Sequence, residues 1–132
     1  MTEPRQYRLM VTGSRDWPAD EWTTIWDTLD AALKRCVHQF VLLHGGAVGV
    51  DSIANDWAEC QHGVQIRVFK PDYRAHGSVA PHVRNDRMLA EADHVMAFWD
   101  GQSRGTRSVI AKAIRDEIGY EVYSPEGVYV EI

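Results

Sequence analysis

Phe40-Val41-Leu42-Leu43 is a short apolar run without a break, and it stops at His44-Gly45-Gly46. A strand with one face in water alternates apolar and polar residues. A strand covered on both faces, as in a parallel sheet, does not. Beyond the glycines, Val50, Ile53, Ala54, Trp57 and Ala58 fall at i, i+3, i+4, i+7 and i+8, the apolar stripe of a helix. A buried strand, a glycine turn and a helix form the first half of a crossover between parallel strands.

The unit recurs. Tyr7–Thr12 reads as a strand stopped by Gly13-Ser14. Pro18 suits the first turn of a helix, and Trp22, Ile25, Trp26, Leu29 and Leu33 follow at helical spacing. Gln65–Phe69 reads as a third strand, broken by Lys70-Pro71-Asp72, after a helix ended by Gly63. A polar loop then runs through Arg74, His76, Gly77 and Ser78 to Pro81, ahead of a helix carrying Arg84, Asn85, Met88, Leu89 and Ala92. His94–Trp99 is a fourth strand ended by Asp100-Gly101. Thr106, Val109, Ile110, Ala113 and Ile114 mark a helix closed by Gly119, and Glu121–Tyr123 and Val128–Val130 are late short strands. Strict alternation predicts an α/β fold: a Rossmann-like, doubly wound, mostly parallel sheet with helices on both faces and the first strand central. With 132 residues and no repeat or linker, the chain is expected to form one domain, 1–132. Trp22, Trp26 and Trp57 are expected in the core.

Other features narrow the function. No apolar run is long enough to span a bilayer, and the N-terminus lacks a secretory apolar stretch. The two cysteines, Cys36 and Cys60, have no CxxC spacing, so free thiols in a cytoplasmic protein are expected. Six histidines show no metal-ligand spacing, so no metal is expected. The net charge of −5 opposes a protein held on nucleic acid by phosphate neutralisation, and nucleic acid is therefore disfavoured as a partner.

In a doubly wound sheet every strand-to-helix loop lies on one edge, where ligands bind. These loops and the start of the third main helix hold Arg15, Lys70, Arg74, Arg84, Arg87 and Arg104, with Arg107 one step further on, half of the fourteen Lys and Arg residues. Gly45-Gly46-x-x-Gly49 follows a buried strand and opens a helix, the setting of a phosphate loop. Asp51, two residues on, suits either the helix dipole or a hydrogen bond from a ribose hydroxyl or a base. Asp100-Gly101-x-Ser103-x-Gly105-Thr106 is a second glycine-rich turn, in which Thr106 can cap the helix or meet a phosphate oxygen. Gly13, Ser14 and Arg15 after the first strand, and Arg84, Asn85 and Arg87 in the third main helix, complete the candidate ligand-binding set. Trp99 suits base stacking or core packing.

Val11-Thr12-Gly13-Ser14-Arg15, His44–Asp51, Arg84-Asn85-Asp86-Arg87-Met88 and Trp99–Thr106 together resemble the SLOG superfamily, above all its YspA, cpYpsA-related branch of bacteria and phages. That superfamily also holds the "lonely guy" phosphoribohydrolases and DprA. The resemblance implies a nucleotide or ADP-ribose-like ligand over the Gly46 and Gly105 turns, no further cofactor, and a homo-oligomer. The phosphoribohydrolases carry PGGxGTxxE, and aligning Gly105-Thr106 with that GT puts Val109 at the catalytic glutamate. Cleaving an N-glycosidic bond calls for a carboxylate, and valine offers none. The expected function is therefore the binding or sensing of a phosphate-bearing nucleotide derivative. The first alternative is an N-glycosidic hydrolase with Asp51 or Asp100 as its carboxylate, and the second is a DprA-like DNA-associated protein.

Overall fold

The structure, a computed structural model, describes residues 5–127. Five strands, β1 (Gln6–Gly13), β2 (Gln39–His44), β3 (Gln65–Val68), β4 (His94–Phe98) and β5 (Gly119–Tyr123), form one parallel sheet in the order β3-β2-β1-β4-β5. The first strand is central, as the alternation predicts. The helices are α1 (Trp22–Arg35), α2 (Val50–Glu59), α3 (Tyr73–His76), α4 (Ala80–Glu91) and α5 (Arg104–Arg115).

The two-residue period of the strands sorts their side chains between two layers. Leu9, Val11, Phe40, Leu42, Met96 and Phe98 meet Ile25, Leu29, Ala54 and Trp57 of α1 and α2. Met10, Val41, Leu43 and Val95 meet Met88 and Leu89 of α4 and Val109 and Ala113 of α5 on the other face. Trp57 is fully buried, and its indole N–H donates to Asp30 Oδ1 of α1 at 2.8 Å, so the buried donor is satisfied. The chain leaves β1 for β2 on one side and reaches β4 on the other. The loops after β1 and β4 therefore diverge, and a crevice opens between them.

Several elements differ from the sequence reading. The polar loop before Pro81 contains α3 and a 3₁₀ turn over Gly77–Val79. Asp72 Oδ1 accepts from the Ala75 amide at 3.1 Å, a cap that supports a turn too short and polar to show a period. Gly63 does not end α2, which stops at Glu59, and Gly119 does not close α5. Glu117 takes the left-handed turn (φ 57°), with the Ile118 amide donating to Ala113 O at 2.9 Å. Gly119 instead starts β5, where a Cβ would press on the His94 ring at 2.7 Å. Trp22, expected in the core, is 45% exposed and stands edge-on to the half-buried Trp26. It lies at the start of α1, before that helix comes down onto the sheet at Ile25. The expected strand Val128–Val130 lies outside the described residues.

Candidate ligand cleft

The crevice at the carboxyl edge is a cleft of about 440 Å³. Of the expected ligand-binding residues, Gly13, Ser14, Arg15, Asp51, Arg84, Asn85, Asp100, Ser103, Gly105 and Thr106 line it. Gly45, Gly46, Gly49 and Arg87 do not. Val11, Thr12, Asp16, Ala47, Pro81, His82, Met88, Gln102 and Arg104 line it as well. Of these, Val11, Thr12, Ala47, Met88, Gln102 and Arg104 fall within the four motifs, whereas Asp16, Pro81 and His82 carried no signal of a site in the sequence.

The reading of Gly45-Gly46-x-x-Gly49 as a phosphate loop is corrected by its hydrogen bonds. Asp51 Oδ2 accepts from the Gly45 amide at 3.1 Å and from the Ala47 amide at 3.2 Å. The intervening Gly46 amide donates to His44 Nδ1 at 3.0 Å. Three successive amides that could have cradled an anion are thus taken by the protein's own side chains. The glycines serve packing. A Cβ at Gly45 would run into the Arg84 guanidinium, and Gly46 (φ 70°) turns beside Val68. Gly49 (φ 83°) lies against the carbonyl oxygens of Ser14 and Arg15, where a Cβ would sit at 2.7 Å. His44 is a residue the sequence reading passed over. Because its Nδ1 accepts from Gly46, its Nε2 carries the proton and donates to Asn55 Oδ1 at 2.8 Å.

Asp51 is 8% exposed. Burial pushes its carboxyl above the ordinary value of 3.8, against the opposing pull of the Ala47 and Gly45 amides and of Arg84. Arg84, also 8% exposed, reaches inward from α4. Its Nη1 donates to Gly45 O at 2.6 Å and Phe69 O at 3.3 Å, and its Nε to Asn85 Oδ1 at 2.7 Å. The guanidinium thus ties the ends of β2 and β3 to α4. Burial lowers its pKa, opposed by the charge of Asp51. Arg87 leaves the cleft and lies over the Phe69 ring at 5.8 Å, where Arg67 also stacks at 5.0 Å.

The turn before α5 is braced from several sides. Asp100 Oδ1 accepts from the Gln102 and Ser103 amides at 2.8 and 2.9 Å, and the Asp100 amide donates to Ser14 Oγ at 3.1 Å. Burial alone would raise the Asp100 carboxyl, but the Gln102 and Ser103 amides and the Ser14 hydroxyl hold it below the ordinary range. The Trp99 indole donates to Ser103 O at 3.0 Å and stands outside the cleft, so it braces this turn rather than offering a stacking face. Ser103 caps α5, its Oγ accepting from the Thr106 amide at 3.4 Å and pairing with Thr106 Oγ1 at 3.1 Å. Both candidate catalytic carboxylates, Asp51 and Asp100, therefore hold backbone amides. Val109, 1% exposed, packs with Met10, Leu43 and Met88 below the cleft.

The first turn of α5 remains open. Among the described residues the Arg104 and Gly105 amides meet no protein acceptor, and a Cβ at Gly105 would find nothing within 4 Å. Arg15 and Arg104 line the same cleft, and neither forms a salt bridge among the described residues. This end attracts anions, whereas the floor at Asp51 repels them.

Comparison with known proteins follows the same lines. The model of the YspA, cpYpsA-related SLOG family matches residues 7–76. The Gene 61 protein of Mycobacterium phage D29 is 40% identical over 111 residues, covering 80% of this chain and 87% of that protein. Two solved structures share the fold. DNA processing protein A from Helicobacter pylori, described for its single-stranded DNA binding mode, has a TM-score of 0.67 at 17% identity. It covers 89% of this chain, which spans 64% of that one. DprA from Streptococcus pneumoniae has a TM-score of 0.68 at 14% identity, again over 89% of this chain but 50% of its own. The expectation that disfavoured nucleic acid as a partner is overturned by these neighbours. Net charge averages the whole surface and does not describe one end of the cleft, where the open first turn of α5 and Arg104 stand, with Arg15 lining the same cleft, on a chain of charge −5. The family match spans the first two of the four motifs, and with the phage relative it shows the family: the chain belongs to the YspA, cpYpsA-related SLOG family.

Proposed function

We propose that the cleft binds a phosphate-bearing nucleotide unit, with the phosphate at the start of α5 and the rest of the unit along the floor toward α2. The observation that carries this reading is the open first turn of α5, with the free Arg104 and Gly105 amides facing a cleft that Arg15 and Arg104 also line. Unsatisfied amides and the helix dipole favour an anion there, by up to ~2 kcal/mol when partly buried. The volume of about 440 Å³ lies within the range of small-molecule sites. The ligand itself is the only non-protein group this reading calls for. Calorimetry with inorganic phosphate, AMP and ADP-ribose tests it. Gly105→Glu puts a carboxylate where the phosphate would sit, and AMP affinity should fall at least about tenfold while circular dichroism stays unchanged. Undiminished affinity would remove α5 from the site.

A second reading, in which the nucleotide is a unit of single-stranded DNA, is favoured by the shared fold of the Helicobacter pylori protein described for that binding. A short fluorescent oligodeoxynucleotide distinguishes the two. Binding that weakens steeply with salt, is lost in Gly105→Glu and resists competition by AMP would favour the strand. The N-glycosidic hydrolase reading has less support, because Val109 is a core residue and Asp51 and Asp100 are held by backbone amides.

A further inference from the structure

We infer that Asp51 reads a sugar hydroxyl, so that the cleft selects ribonucleotides over their deoxy counterparts. This inference rests on the cleft reading above and adds the class and orientation of the ligand. Asp51 is 8% exposed and lines the cleft, yet only one of its two carboxylate oxygens is used. Oδ2 accepts both loop amides, and among the described residues no donor reaches Oδ1. No buried side-chain oxygen or nitrogen among the described residues lacks a partner, so Oδ1 is open to the cleft rather than sealed in the core.

Beside it stands Arg84, whose Nη1 and Nε are engaged while Nη2 donates to no protein group among the described residues. The floor therefore offers one acceptor and one donor next to each other. A phosphate is disfavoured against Asp51, since it would bring negative charge to a buried carboxyl group while the neighbouring Gly45 and Ala47 amides are already taken. A hydroxyl fits both groups: its proton goes to Asp51 Oδ1, and its oxygen accepts from Arg84. A ribose offers two adjacent hydroxyls, and a deoxyribose in a strand offers none. With the phosphate at α5, the sugar edge then turns toward α2. A site built to bond a hydroxyl discriminates sharply against the analogue lacking it, because its polar groups are left unpaired.

The test is a set of calorimetric titrations with the four ribonucleoside monophosphates and their 2′- and 3′-deoxy counterparts. The wild-type protein should prefer the ribo member of a pair by roughly ten- to a hundredfold, the worth of one hydrogen bond to a charged group. Asp51→Asn can keep its carbonyl oxygen on the Gly45 and Ala47 amides while presenting an NH₂ donor to the cleft. It should lose the preference, with unchanged circular dichroism and Gly45 and Ala47 amide resonances close to wild type. Equal affinity for ribo and deoxy forms in the wild type would overturn the inference and leave the cleft reading standing. So would a preference that survives in Asp51→Asn. Absence of binding by every probe would overturn both. The wild-type series decides the matter even where the variant does not fold.

Discussion

Replacing Arg84 with Met separates a structural strut from a ligand contact. The side chain volume is nearly kept, but Gly45 O and Phe69 O lose their shared donor, and the Asp51 carboxyl loses the favourable charge of a buried cation. A buried carbonyl without a partner costs about 1–3 kcal/mol, and both carbonyls depend on this one guanidinium. The expected deficit is therefore about 2–5 kcal/mol, or a drop of about 6–20 °C in Tm for a domain of this size. Lys at the same position keeps the charge and one bond, and should cost about half as much. The deficit should also depend on pH. Burial already holds the Asp51 carboxyl above 3.8 in the folded state, so its ionisation works against folding as pH rises through the folded-state value. Removing Arg84 raises that value further, so Arg84→Met should lose more stability above the folded-state value than below 3.8, where the carboxyl is protonated in both states. Urea denaturation across the pH range measures this. A variant that loses nucleotide affinity yet unfolds like the wild type would refute the argument and make Arg84 a ligand residue alone.

Gly49→Ala should cost about 2–4 kcal/mol in urea denaturation, from a strained backbone and a Cβ forced onto the Ser14 and Arg15 carbonyls; a loss near zero would contradict that packing. Ser103→Ala removes the cap of α5 and should cost about 1 kcal/mol by thermal melting. Asp93 accepts from the Arg8 amide at 2.8 Å and from its guanidinium, contacts that outweigh burial and hold its carboxyl below 3.8. Its stabilisation is present above 3.8 and is lost as pH falls through the folded value, so Asp93→Asn should be less stable than wild type at neutral pH and level with it in acid. The unmodified protein should release no free adenine from AMP by chromatography; release that Asp51→Asn abolishes would restore the hydrolase reading.

The fold was readable because the inner strands carry short apolar runs and the main helices a clear period, Phe40–Leu43 and Val50–Ala58 above all. The location of the cleft followed from topology alone, since parallel strands place all their following loops on one edge. What could not be read was which partner each polar group takes. Gly45-Gly46-x-x-Gly49 has the spacing of a phosphate loop, but Asp51, the second residue of the helix, folds back to fill it. Glycines required by a close neighbour and glycines required by a ligand look alike in a sequence. Arg84 and Arg87 sit one turn apart on α4, yet the first is drawn to buried carbonyls and the second to the face of Phe69. His44 and Trp99 open two of the motifs, but spacing alone does not say that their rings bond the Gly46 amide, Asn55 and Ser103 O.

The central claim, that the anion binds at α5 and not at the Gly45–Ala47 turn, is tested most directly by titrating ¹⁵N-labelled protein with AMP and following the backbone amides. The account predicts large saturable shifts at Arg104, Gly105 and Arg15, with only smaller, indirect shifts at Gly45 and Gly46 because their donors are already taken by Asp51 and His44. Large shifts at Gly45, Gly46 and Ala47 with a quiet first turn of α5 would contradict it.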